Sequence, residues 1–178
     1  MNHPEGSGAR PDPASLDDDT LAFAQRVFNF ARAGDTAELA TLLAQGLPRN
    51  LRNERGDSLL MLASYNGHAD ITRLLLEQGA DPELQNNAGQ TPLMGAAFKG
   101  DLAIATLLLD HGAQADGAGP DGKTALMFAA MFNRVEIVRL LLARGADPAA
   151  ADASGVTAAQ AAQRMGAADT YALLSMPD

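Results

Sequence analysis

No cysteine and no tryptophan occur among the 178 residues. The first absence excludes disulfides, thiolate metal sites and cysteine nucleophiles, and it suits a reducing compartment. The second, with only 6 Phe and 2 Tyr, means that burial must come from many small contacts. Ala and Leu supply them, and both favour helices. Lysine is confined to Lys99 and Lys123, and the arginines are scattered. Counter-ion release on nucleic acid needs clustered cations, so neither nucleic acid nor an anionic membrane is expected as a partner. With 13 Lys and Arg against 22 Asp and Glu, a net charge of −9, a neutral or basic protein surface fits better. No apolar run is long enough to span a bilayer. The stretch from Met1 to Pro13 lacks the basic start and apolar core of a secretory signal, so the expected location is the cytoplasm.

What is present begins with a contrast. Residues 1–20 are rich in Pro, Gly, Ser and Asp and carry too little apolar surface to offset the entropy of ordering. They are expected to form a flexible tail ahead of a folded domain over 21–178, with Asp17-Asp18-Asp19 at the positive end of the first helix. From Leu21 onward the chain repeats itself. Gly56, Gly89, Gly122 and Gly155 recur at one constant interval, and Ser58, Thr91, Thr124 and Thr157 keep the same step. Gly34, Gly67, Gly100 and Gly166 lie on the same grid with Asn133 in the remaining slot, and Gly46, Gly79, Gly112 and Gly145 form a fourth register. A period of this length, held without a gap, marks a stacked array.

Each marker has a physical task. The hydroxyls of Ser58, Thr91, Thr124 and Thr157 can cap a helix, and Pro92 suits the first helical position. The Gly67 and Gly100 register can end a first helix in the left-handed conformation, which Asn133 also tolerates. A second helix follows in each unit, with apolar stripes such as Ile71, Leu74 and Leu75, then Ile104, Leu107 and Leu108, then Ile137, Leu140 and Leu141. That i, i+3, i+4 spacing leaves one sticky face per helix, which only stacking against a neighbouring unit can cover.

Gly89-Gln90-Thr91-Pro92-Leu93-Met94-Gly95-Ala96-Ala97 resembles the ankyrin signature G-x-T-P-L-H-x-A-A, Gly67-His68-Ala69-Asp70-Ile71 resembles the opening of its second helix, and Gly79-Ala80-Asp81 and Gly145-Ala146-Asp147 resemble the start of its hairpin. The resemblance covers about residues 21–178. It implies an all-α repeat solenoid of helix–turn–helix units joined by β-hairpin loops, about five units including caps: 21–52 as N-terminal cap, 53–85, 86–118, 119–151, and 152–178 as C-terminal cap. The family histidine after the leucine is replaced by Met61, Met94 and Met127, so packing is expected to stand in for hydrogen bonds in the inner layer. Gln114 to Pro120 departs from the hairpin pattern, so that finger is expected to differ in shape.

No constellation points to catalysis. His3, His68 and His111 show no metal-ligand spacing. Asp17-Asp18-Asp19 and the stretch Asp116 to Gly122 lack the alternating acids and terminal Glu of a calcium loop, and Gly117-Ala118-Gly119 has no strand–loop–helix context with a lysine for a phosphate cradle. No enzyme activity, cofactor or metal is expected.

The family binds partners on its concave side. By register this implies Tyr65 and Asn66, Phe98 and Lys99, Met131 and Phe132, flanked by Arg32 and Arg164 from the caps. Tyr65, Phe98 and Met131 are each one repeat apart and are expected to form a solvent-facing apolar ladder, a mark of a docking site. The competing reading is that the ladder packs on itself and only stiffens the array. Arg55, Asp57, Gln90 and Lys123, at the finger tips, are candidate polar rim contacts, although turn chemistry alone accounts for such residues too. The function expected is a protein-interaction module, monomeric when free, that scaffolds or inhibits one protein partner through its groove. The alternative is an accessory, regulatory or chaperone-like subunit of a bacterial enzyme. An exported effector is a third reading, against which the missing signal sequence counts.

Overall fold

A computed structural model describes residues 18–176. Among them are ten helices in five antiparallel pairs: α1 (Asp18–Ala33) and α2 (Thr36–Ala44), α3 (Leu59–Tyr65) and α4 (Ala69–Glu77), α5 (Pro92–Lys99) and α6 (Leu102–Asp110), α7 (Ala125–Met131) and α8 (Val135–Ala143), α9 (Ala158–Met165) and α10 (Ala168–Leu174). The odd-numbered helices pack on one another in sequence to form an inner row, and the even-numbered helices form an outer row behind it. Helix α1 takes in Asp18, Asp19 and Thr20, which the composition had assigned to the tail. This is a correction with a simple cause: acidic side chains in a first turn favour the positive end of the helix. The rest of that tail, 1–17, Asp17 included, lies outside the described residues. None of the described helices is long and apolar enough to cross a membrane.

The caps fall where the hydroxyl register places them. The Ser58 side chain accepts from the Met61 amide at 3.1 Å, Thr91 from Met94 at 3.3 Å, Thr124 from Met127 at 3.4 Å and Thr157 from Gln160 at 3.4 Å. Each satisfies an N–H that the helix itself leaves unpaired. Burial follows the same grid. Leu60, Leu93 and Leu126 from the inner row, and Ile71, Ile104 and Ile137 from the outer row, are at most 1% exposed, each stabilising the stack by about 1.5–3 kcal/mol relative to exposure. Met61, Met94 and Met127 are buried at 5%, 2% and 2%, so the inner layer at these positions is packed rather than hydrogen-bonded.

Asn133 shows why its register departs from glycine. It adopts φ 55, beside 77 and 83 at Gly67 and Gly100, and its side chain does what glycine could not. Its Nδ2 donates to Asp169 at 2.9 Å and its Oδ1 accepts from the Thr170 amide at 3.1 Å, while the buried Thr170 hydroxyl donates to the Ala130 carbonyl at 2.7 Å. The last helix is thereby tied to the pair before it.

The expected hairpins are loops, or fingers, without a strand among the described residues. Three close on a single antiparallel bridge: Arg52 to Ser58, Ala118 to Thr124, and Ala151 to Thr157. The finger containing Gly119 and Pro120 therefore closes as those of Arg52 and Ala151 do. Its difference lies at its tip. Asn53, Asn86 and Asp152 each fold a side-chain oxygen over two backbone amides of their own turn, and Gly119, in the same register, has none to offer.

Candidate partner groove

The fingers and the inner helices enclose a groove of about 780 Å³. Its helix wall includes, in each of three units, a pair of residues one turn apart: Leu62 and Tyr65, Gly95 and Phe98, Phe128 and Met131, with Met61 and Met94 beside the first two pairs. An i, i+3 pair shares a helix face, so a side chain three residues before each ladder position had to point the same way. That spacing was the available signal for Leu62, Gly95 and Phe128, which the register argument alone had overlooked. Gly95 has a steric reason. A Cβ there would come within 3.3 Å of the Tyr65 ring, so its absence lets Tyr65 lie down.

Phe132, expected in the groove beside the apolar ladder, joins Tyr65 and Phe98 in an aromatic run. Tyr65 stacks on Phe98 with centroids 6.4 Å apart and planes 12° apart, and Phe98 meets Phe132 edge-on at 4.6 Å. Met131 lines the groove, but the third ring of the run is Phe132, its neighbour in sequence. Tyr65 remains 41% exposed, and Phe98, Met131 and Phe132 are half-buried. The rings therefore brace one another and still present a face to solvent.

Of the remaining candidates, Arg32, Arg55, Asp57, Asn66, Gln90 and Lys123 also line the groove. Lys99 stands beside it, with Nζ 5.0 Å from the centroid of the Tyr65 ring. Arg164 is not among the lining residues. Asp57 is less a rim contact than a strut. It is buried, and its carboxylate accepts from Asn86 Nδ2 at 2.9 Å and from Asn53 Nδ2 at 3.2 Å, tying two fingers together. Arg55 lies 3.8 Å from it but is 85% exposed. Asn66 is exposed and folds back on its own helix, donating from Nδ2 to the Leu62 carbonyl at 2.7 Å.

Lys123 and Asp121 pair at the turn of the finger closed by Ala118 and Thr124, 2.7 Å apart. The Lys123 side chain and then its amide, both donating to the carboxylate, hold Asp121 below the usual carboxylate range. The same side-chain bond raises Lys123 above the usual ammonium range.

The histidines lie elsewhere. The His68 ring is bonded to the Arg32 carbonyl at 2.7 Å, linking the first two helix pairs. His111 is half-buried, with Nδ1 2.9 Å from the Leu107 carbonyl. His3 lies outside the described residues. No group of three or more His, Cys, Asp or Glu side chains that could hold a metal is found among the described residues.

Comparison with known proteins agrees with this geometry. Residues 28–118 match a family model of ankyrin repeats in three copies, and residues 121–153 match a single ankyrin repeat. A segment of 59 residues is 60% identical to a protein of Pseudomonas aeruginosa that carries the name ankyrin repeat protein, covering 33% of this chain and 34% of that relative. The match thus spans about a third of the relative's own length.

Proposed function

Because the chain belongs to the ankyrin-repeat family, whose repeats mediate protein–protein interaction and are typically non-catalytic, we propose that it seats one protein partner in the groove, as a scaffold or inhibitor of that partner. The observation that carries this reading is the run Tyr65, Phe98, Phe132, braced ring on ring yet open to solvent. Rings held this way lose little freedom on docking, and aromatic side chains are the anchors on which interface energy concentrates. The competing idea, that the rings only stiffen the array, accounts for the contacts between them but not for the solvent-facing side of Tyr65. The two acids that line the groove are already engaged, Asp57 by Asn53 and Asn86 and Asp121 by Lys123.

The test is a pull-down from lysate of the producing cells with the full chain, set beside the Tyr65→Ala/Phe98→Ala/Met131→Ala variant. A docking face predicts that one stoichiometric protein is lost with the variant while the melting temperature falls by a few degrees at most. Each ring that acts as an anchor should account for about 2 kcal/mol of affinity. Retention of the partner alongside a collapse in melting temperature would assign the ladder to stability alone.

A further inference from the structure

The groove reverses the charge balance of the molecule that carries it. The whole chain has 13 basic against 22 acidic residues, but the groove is lined by Arg32, Arg55 and Lys123 against Asp57 and Asp121, with Lys99 leaning over Tyr65 from its edge. The two acids are already engaged, Asp57 by Asn53 and Asn86 and Asp121 by Lys123. Two of the cations are not. Arg32 is exposed, its guanidinium donates to the neutral Asn29 Oδ1 at 3.0 Å, and neither Arg32 nor Lys99 has an ion-pair partner among the described residues.

Their placement is specific. Arg32, Tyr65 and Phe98 follow one another at the repeat interval, so the guanidinium and the two rings occupy the same turn of α1, α3 and α5. Both cations lie in the last turn of their helices, where a positive charge answers the carbonyl dipole. That accounts for a cation at a helix end. It does not account for Lys99 lying over the ring on which Phe98 stacks, with Arg32 lining the same groove one repeat before that ring.

Resting on the groove reading, the geometry points to a partner of defined chemistry: an acidic protein segment that sets an aromatic or aliphatic anchor against Tyr65 and Phe98 and flanking carboxylates against Arg32 and Lys99. At physiological salt the Debye length is about 8 Å, so charges elsewhere on the acidic surface are largely screened from a segment in the groove. The cations in contact then decide which sequences are accepted. Arg32 can receive a carboxylate bidentately, and Lys99 acts as a point charge.

A phage-displayed library of random dodecapeptides, selected on the purified full chain, tests this. The expected consensus holds two or more Asp or Glu residues around one Phe, Tyr, Trp or Leu. Fluorescence anisotropy of a selected peptide should weaken by about tenfold or more, equivalent to about 1.4 kcal/mol, with Arg32→Glu/Lys99→Glu. Both side chains are outside the core, so circular dichroism should report an unchanged fold, and the same variant should now prefer the peptide with its acids replaced by Lys. Neutral or basic peptides that lose binding to Phe98→Ala would overturn the charge rule and leave the groove standing. Peptides indifferent to both Tyr65→Ala and Phe98→Ala would remove the groove itself. Enrichment of no peptide would count against the acidic segment as the occupant.

Discussion

Two finger junctions occupy the same register and are held differently. Where the second finger meets the first, the Asn87 amide donates to the Arg55 carbonyl at 2.9 Å, Asn87 Nδ2 donates to the Glu54 carbonyl at 2.9 Å, and Arg52 Nη2 reaches the Gln85 carbonyl. Where the third meets the second, residue 120 is proline and has no amide to give. Two bonds that use side chains remain between these loops, from Gln85 Nε2 to the Ala118 carbonyl at 3.1 Å and from the Gln114 amide to Glu83 Oε1 at 3.0 Å. The backbone bond returns at the next junction, from the Ala153 amide to the Asp121 carbonyl at 2.8 Å. A period in the helices therefore does not guarantee a period in the stitching. The Pro120 junction exchanges a hydrogen bond for contact between the proline ring and Gly89.

The largest expected effect exploits that contact. Gly89 and Gly155 share a register and nearly the same φ, 74 and 77. An added Cβ at Gly89 would overlap the Pro120 ring, whereas at Gly155 it would meet nothing within 4 Å. Gly155→Ala should cost about 1–2 kcal/mol, the left-handed penalty alone, and Gly89→Ala about 2–4 kcal/mol once the overlap is added. Urea titration of both variants reads the difference, and Pro120→Ala should recover part of the Gly89→Ala loss. Equal costs at the two sites would mean that the proline ring moves away freely.

The second change makes the two junctions alike by weakening the stronger. Asn87→Pro removes both bonds that Asn87 donates, and the backbone should accept the ring because Pro120 occupies the equivalent place. The expected loss is about 1–3 kcal/mol, at a net contribution of about 0.5–1.5 kcal/mol per bond, with faster amide exchange in the first two fingers. The reciprocal change, Pro120→Asn, supplies an amide facing Ala88, one repeat before the Asp121 that the Ala153 amide meets. It should gain about 0.5–1.5 kcal/mol, and the new amide should exchange slowly. An unprotected amide there would show that the fingers are too far apart to join.

The smallest effect concerns the Asp121–Lys123 pair at the turn of the same finger. Asp121 is held low, so its contribution is present above the unfolded carboxylate range and disappears as pH falls through the lowered value. Lys123 is held high, so its share is present below the ordinary ammonium range and disappears as pH rises through the raised value. Both side chains are more than a third exposed, which limits Lys123→Met to less than about 1 kcal/mol near neutral pH. Thermal melts across the acid range should show the variant and the parent converging as Asp121 becomes protonated.

Much of this was legible beforehand. Ser58, Thr91, Thr124 and Thr157 announce four helix starts because a cap is a local event, decided within one turn of the chain. The stripes through Ile71, Ile104 and Ile137 announce a stack because each helix has one face that only a neighbour can cover. The groove was legible in part. Ten of the twelve residues expected there line it, while Lys99 and Arg164 do not. Register fixes which turn of a helix a residue occupies but not how far its side chain reaches. Asp57 illustrates the other gap. As a charged residue in a turn it reads as a rim contact, yet Asn86, from the next finger, converts it into a strut.

By itself the sequence determined the period, the helix starts and ends, and the faces that must be buried, because each depends on residues close together in the chain. The tertiary structure alone decided that Phe132 joins Tyr65 and Phe98 in one aromatic run, that Gly95 makes room for Tyr65, and that Pro120 interrupts the stitching between fingers. Each of these depends on distances between atoms in adjacent units, and a repeat of constant length leaves those distances to whichever side chains happen to meet.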